Sequence, residues 1–167
     1  MSCLGVHFAL TAEEVSLLRA QPDGEIRVNF VKEVFEEVYL GDESPYAAES
    51  AKAWDAIDRA MTMKLDDSLD PDGVLRYLVV DGEPMNSGDD FILSLKTPDQ
   101  VALVATIIEN IDISAFRNRY FMIDPAEYGE LPSEDDFQYT WEWFQCVRDL
   151  FRTAANSKRF VLFTVDQ

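Results

Sequence analysis

The sequence predicts an α+β fold: a single compact, helix-rich domain spanning residues 1–167, with a small sheet that includes the N- and C-terminal strands. Three observations predict it. The first residues alternate between two faces, helix caps recur through the chain, and the last residues form an apolar strand. A length of 167 residues is the size of one domain, and 47% hydrophobic residues can supply one core.

The N-terminal segment predicts a strand followed by a capped helix. Four apolar residues fall on one face with the period of a strand: Leu4, Val6, Phe8 and Leu10. Thr11, with Glu14 three residues later, forms a capping box at the start of the first helix. The turn residues 21–24 end that helix.

Two further helices are predicted before residue 63. The first shows an apolar stripe and ends at Gly41; the stripe consists of Val31, Val34, Phe35 and Val38. The second covers residues 46–62, and its core face holds Trp54, Ile57 and Met61. Residues 74–80 fit a buried strand or a short core helix equally well.

The second half of the chain has stronger signals. Residues 91–95 predict a short strand, and Thr97-Pro98 with Gln100 begins the best-marked helix. Asp112 can cap another helix, and Ser133 begins a long helix that reaches about residue 155. The closing strand, residues 159–165, is apolar on both faces, which is typical of an inner strand.

The net charge restricts the partners. With 32 acidic against 14 basic residues, the formal charge of −18 repels nucleic-acid phosphate and anionic membrane surfaces and favours a basic protein partner. Two cysteines are too few for a disulfide framework. Since the start of the chain lacks the pattern of a signal peptide and no apolar run approaches a membrane span, we expect a cytoplasmic protein.

Recognisable catalytic motifs are lacking. His7, the only histidine, lies in the first strand, where a structural role is expected rather than a general base. Cys146 falls in the middle of the long helix and is expected to fill the core. Residues 66–73 form an acidic loop that departs from the EF-hand pattern. We therefore expect no catalytic residues, no metal and no cofactor.

Two groups of residues remain as candidates for binding a ligand or partner. Tyr139 and Trp143 belong to a second apolar stripe on the long helix, which either packs inside the protein or forms a pocket wall or a homo-oligomer contact. In the helix at 46–62, Asp55 pairs with Arg59 on the solvent side, and Asp58 lies one turn beyond Trp54. Whether Asp58 faces a pocket or water is open.

Several stretches resemble the YfbM-like family, small bacterial proteins with a domain of unknown function. These are CLGVHFALTAEEV, KAWDAIDRAMT, LKTPDQVALVATIIENIDISAFRNRYF and RFVLFTV. The resemblance spans nearly the whole chain and implies a single α+β domain in the bacterial cytosol, with no established activity to transfer. Relatives often have histidine where this chain has Asp58.

Two functions from different classes follow. The first is a non-enzymatic binding or protein-interaction module, resembling an immunity protein or antitoxin, that uses its acidic surface against a basic partner. The alternative is a small-molecule-binding protein or weak enzyme with a pocket near Trp54 and Asp58.

Overall fold

The computed structural model describes residues 3–41, 44–64, 69–88 and 90–166. Its centre is an antiparallel sheet of five strands in the order β2-β1-β5-β4-β3. The strands are β1 (Gly5–Leu10), β2 (Ala47–Ala51), β3 (Glu83–Pro84), β4 (Phe91–Lys96) and β5 (Phe160–Asp166). The sheet includes both terminal strands, as the sequence predicts, and these two are direct neighbours.

Helices cover both faces of this sheet. They are α1 (Ala12–Ala20), α2 (Glu25–Phe30), α3 (Glu37–Leu40), α4 (Trp54–Thr62), α5 (Pro98–Ile108), α6 (Ile113–Tyr120), α7 (Pro125–Tyr128) and α8 (Glu134–Asn156). A π-helical segment, Val31–Glu36, joins α2 to α3, and a 3₁₀ turn spans Val74–Tyr77. The result is one compact α+β domain, which confirms the predicted fold class.

The two faces of the sheet carry separate cores. On one face, α1 and the segment from α2 to α3 pack against Phe8, Leu95 and Leu162. On the other, α4, α5, α6 and α8 pack against Ala9, Val161 and Phe163. Because both faces are covered, the inner strands β1 and β5 are buried on both sides, as predicted for β5.

The helix caps that the sequence predicts are present. Thr11 and Thr97 each form a capping box with the residue three positions later. The side chains of Asp112 and Ser133 accept hydrogen bonds from the backbone N–H groups of Ala115 and Asp136. These signals succeed because a cap depends on a few neighbouring residues and needs no distant partner.

The predicted helix over residues 46–62 is wrong in its first part. Residues 47–51 form β2, an edge strand paired with β1, and the helix begins only at Trp54. Ala51, with a φ of 46°, lies at the end of the strand, where the chain turns toward the helix. The small residues of this segment have no strong strand pattern, so their pairing with β1 decides their conformation.

The apolar stripe predicted for the helix that ends at Gly41 is also wrong in part. Val31 and Phe35 are buried, but Val34 is 37% and Val38 is 60% exposed. The π-helical segment widens the turn here, so the buried series continues to Tyr39, four residues after Phe35. A pattern at ordinary α-helical spacing therefore names the wrong valines.

The remaining outcomes are mixed. Of the two alternatives for residues 74–80, the short core helix is the nearer one, because Val74–Tyr77 form a 3₁₀ helix with Leu75 buried, followed by turns. Cys146 is exposed, so its predicted place in the core is wrong. No helix within the described ranges is long and apolar enough to cross a membrane.

The register of the buried valines can be tested with one substitution at two positions. Val31→Ala removes methyl groups from a fully buried site and should lower the free energy of unfolding by about 2 kcal/mol. The control Val38→Ala changes an exposed side chain and should alter it by less than about 0.5 kcal/mol. Urea unfolding measures both; equal losses would contradict the π-helical register.

Candidate functional site

A lysine is buried on the face of the sheet that α4, α5, α6 and α8 cover. Lys96, the last residue of β4, is fully buried, and its ammonium group contacts three oxygens. It donates hydrogen bonds to the carbonyl of Val79, to the carbonyl of Ser94 at 3.2 Å and to the Ser94 hydroxyl at 2.5 Å. All three N–H donors of the charged form are therefore satisfied without water.

Burial dominates the acid–base behaviour of this lysine. Loss of water lowers the pKa of Lys96 to about 7, although the negative charges of Asp58 and Asp81 raise it. Near neutral pH the side chain can thus lose its proton, which an exposed lysine does not do. Such a group can act as a base.

Asp58 lies beside this lysine on α4. Its Oδ1 atom accepts a hydrogen bond from the backbone N–H of Val80 at 3.3 Å. Burial raises the pKa of Asp58, and the Val80 N–H and the Lys96 charge oppose that shift. The open question about Asp58 therefore has a structural answer: its carboxylate is half-buried at a cavity wall.

His7 is a further buried polar residue near Lys96. In the sheet it is opposite Phe163, which is in turn opposite Ser94, so the three residues form one row across β1, β5 and β4. Burial, followed by the Lys96 charge, lowers the pKa of His7 to about 3. Backbone groups of Leu78 and Ala48 oppose this shift but are outweighed by burial. His7 is therefore a neutral, packed side chain.

Asp58 lines two cavities of about 510 Å³ each, and Thr62, Val80 and Ile92 line both as well. We call one of these two cavities the Asp58 groove. It lies between α4 and the α6–α7 region, and its other wall residues are Trp54, Asp55, Arg59, Met63, Met122, Ile123, Asp124 and Glu127. Its shared wall with the second cavity makes the two neighbours.

The second cavity, which we call the Ser94 cavity, lies at the β3–β4 edge of the sheet. Besides the shared residues, its wall contains Arg76, Asp81, Gly82, Pro84, Asn86, Gly88, Phe91, Leu93 and Ser94. Gly82 adopts a φ of +149° in the turn beside it, and a Cβ there would lie 2.7 Å from the Leu95 carbonyl oxygen. This close approach requires glycine.

Trp54 and Asp55 are the first residues of α4, whereas the sequence predicts them in the middle of a longer helix. The indole N–H of Trp54 donates to the Cys3 carbonyl at 3.1 Å, and its ring lies 5.9 Å from the Phe163 ring. Gly5 permits this packing, because a Cβ on Gly5 would be 2.9 Å from the Cβ of Trp54. Asp55 forms the predicted ion pair with Arg59 at 2.9 Å.

Tyr139 and Trp143 lie elsewhere, on α8. Their rings are 6.2 Å apart, Tyr139 is 38% exposed, and Trp143 lines a groove of about 350 Å³ against β2. The structure therefore brings Trp54, Asp55 and Asp58 together and separates them from the α8 pair. A role of the α8 pair in self-association stays a prediction.

The acidic loop at 66–73 falls partly outside the described residues, which exclude 65–68. Within the described part, both carboxylate oxygens of Asp70 accept backbone N–H bonds, from Val74 and Leu75, each at 2.7 Å. Asp70 thus caps the 3₁₀ turn. No group of three acidic, histidine or cysteine side chains among the described residues could hold a metal ion.

Sequence reasoning missed Ser94 and Lys96. The strand pattern of residues 91–96 assigns Phe91, Leu93 and Leu95 to the core, so the alternate residues belong to the other face. That face would be wet in a sheet covered on one side only. The available signal was the closing strand, β5, which the sequence predicts as an inner strand apolar on both faces. A sheet covered on both sides buries the residues of both faces in the neighbouring strand as well.

The fold and the site define a small α+β domain with a central antiparallel sheet, helices on both faces and a buried lysine next to an acidic groove. The chain belongs to a family described as a domain of unknown function, DUF1877, whose model matches residues 1–164.

A solved structure supports the same placement. The chain is similar to YfbM from Escherichia coli, a protein of unknown function, with a TM-score of 0.59 over 97% of this chain and 99% of that one. The identity is 14%, so the likeness shows the fold alone. The YfbM-like family predicted from sequence is thus confirmed. No curated protein matches the chain.

The buried His7 makes stability depend on pH. Its folded pKa of about 3 lies below the ordinary value of 6.5, so between these values the unfolded chain binds a proton that the folded chain does not. Stability should fall as the pH drops through this window, by up to roughly 5 kcal/mol from this group.

His7→Leu removes the titrating ring at similar volume. The free energy of unfolding of this variant should decline less than that of the wild type between pH 6.5 and pH 4, measured by urea unfolding. Parallel declines in the two proteins would show that His7 is not held neutral.

Proposed function

We propose that this protein binds a small ligand carrying an amine in the Asp58 groove. The observation that carries the proposal is the position of Asp58, a half-buried carboxylate shared by both cavities. A carboxylate that has lost part of its hydration gains more from a cationic ligand than an exposed one, since water screens it less.

The charges around the groove favour a cation. Four carboxylates line it: Asp55, Asp58, Asp124 and Glu127. Arg59 also lines it and is engaged with two of them, Asp55 at 2.9 Å and Glu127 at 3.6 Å. Asp124 accepts the backbone N–H of Ala126 as the cap of α7. Asp58 likewise accepts a backbone N–H, that of Val80, and of these two carboxylates only Asp58 is half-buried.

The apolar part of the wall favours a ligand with a hydrocarbon or aromatic body. Val80 and Ile123 are buried or half-buried there, and the Trp54 ring adds an aromatic face. An aromatic face also attracts cations, which adds to the pull of the carboxylates. An amine attached to an apolar group matches both features.

A second candidate function rests on the net charge of −18, which favours a basic protein partner, as for a cytoplasmic immunity or antitoxin-like module. The exposed Tyr139 and half-buried Trp143 would add an aromatic contact. Such binding would weaken as ionic strength rises, whereas a buried amine contact would depend less on salt.

Titration calorimetry with 2-phenylethylamine tests the proposed function. Asp58→Asn keeps an oxygen for the Val80 N–H but removes the charge, so the amine should bind at least about tenfold more weakly. The neutral analogue 2-phenylethanol should bind poorly to both proteins.

The matched control is Asp99→Asn, which removes the same charge from an exposed residue of α5 outside both cavities. It should leave the affinity for 2-phenylethylamine unchanged within twofold. Equal affinity of the wild type and Asp58→Asn would refute the proposal, as would equal binding of amine and alcohol.

A further inference from the structure

The Ser94–Lys96 pair has the arrangement of a nucleophile and its base. Ser94 lines the Ser94 cavity, and its hydroxyl is 2.5 Å from the Lys96 amine, which lies fully buried behind it. We propose that Ser94 is a nucleophile activated by Lys96, and that it cleaves a carboxylic ester or amide carrying an amine. The substrate class rests on the proposed function of the Asp58 groove.

The hydrogen bonds fit both protonation states of the lysine. When Lys96 is charged, three N–H groups donate to the Val79 carbonyl, the Ser94 carbonyl and the Ser94 hydroxyl. In this state the Ser94 O–H donates to the Val79 carbonyl at 3.3 Å. When Lys96 is neutral, two N–H groups keep the carbonyls, and the Ser94 O–H can turn from Val79 to the lone pair of the amine. A proton can therefore pass from Ser94 to Lys96 without leaving a buried polar group unpaired.

Burial supplies the neutral amine that this exchange needs. Loss of water lowers the pKa of Lys96 to about 7, so a large share of the molecules hold a neutral amine at pH 8. A serine with an adjacent base of that strength meets the general requirement for an activated hydroxyl nucleophile. His7, which adjoins this row, cannot replace it as a base near pH 7, because burial keeps its pKa at about 3.

The reaction balances with this chain's groups and water. Ser94 Oγ attacks the carbonyl carbon while its proton passes to the Lys96 amine. The carbon–oxygen or carbon–nitrogen bond to the leaving group breaks, and that group takes the proton from Lys96. Water then attacks the acyl-serine, giving its proton to Lys96; the carboxylic acid leaves, and the proton returns to Ser94.

Asp58 and Arg76 place the substrate. Asp58 stands where the two cavities meet, so an amine bound there can extend its carbonyl into the Ser94 cavity. Arg76 contributes a positive charge to the wall of that cavity, where it forms an ion pair with Asp81 at 3.7 Å. The negative charge of Asp58 also raises the pKa of Lys96.

A fluorophosphonate probe followed by intact mass and peptide mapping tests the proposal. We expect one adduct on Ser94, with a labelling rate that rises with pH through an apparent pKa near 7. Ser94→Ala should lose the adduct, and Lys96→Met should slow it at least about hundredfold. The exposed-serine control Ser16→Ala should label like the wild type.

The pH profile protects the test against a Lys96→Met variant that does not fold, because it uses the wild type alone. Asp58→Asn should shift the profile to lower pH, since Asp58 raises the pKa of Lys96. Absence of an adduct on Ser94, or a labelling rate independent of pH between 6 and 9, would overturn the proposal.

Hydrolysis of two activated esters separates this proposal from the proposed function. The wild type should cleave 4-nitrophenyl 6-aminohexanoate faster than 4-nitrophenyl acetate, and Asp58→Asn should lose that preference. A Ser94 adduct without the preference would support the pair and count against amine binding. Amine binding with no Ser94 adduct would support the groove and overturn the catalytic pair.

Discussion

The hydrogen-bonded ammonium of Lys96 is the interaction on which the site depends. It joins β4 to the turn after the 3₁₀ segment, because it donates to Val79 as well as to Ser94. The next residue, Val80, donates its N–H to Asp58 on α4. One buried side chain thus fixes three elements that form the walls of both cavities, and a buried amine cannot be left without these partners.

The same loss of water sets the acid–base properties of Lys96, His7 and Asp58. It lowers the pKa of Lys96 and of His7, and it raises the pKa of Asp58. These directions reduce charge inside the domain while its exposed surface carries the net charge of −18. Because helices cover both faces of the sheet, polar residues there lose water. A lysine with a pKa near 7 and a partly dehydrated carboxylate are the consequences.

Local signals in the sequence predicted much of the fold, whereas tertiary effects decided the rest. The caps at Thr11 and Thr97 involve neighbours only, so they were readable, and the two-faced β5 was readable from its composition. The strand at 47–51 needs β1 beside it, and the π-helical segment has no reliable sequence mark. Of the site, Trp54, Asp55 and Asp58 were found by helical spacing. Lys96 was missed, because a lysine ending a strand ordinarily reaches water.

The protonation of Lys96 in the folded protein tests the account most directly. An NMR titration that follows the Cε and Nζ signals of Lys96, assigned with Lys96→Met or by partial labelling, measures its pKa without any ligand. The account predicts a midpoint near 7, well below the other lysines. A midpoint near the ordinary value of 10.5 would contradict it, because Lys96 would then be a permanent charge and Ser94 would have no base.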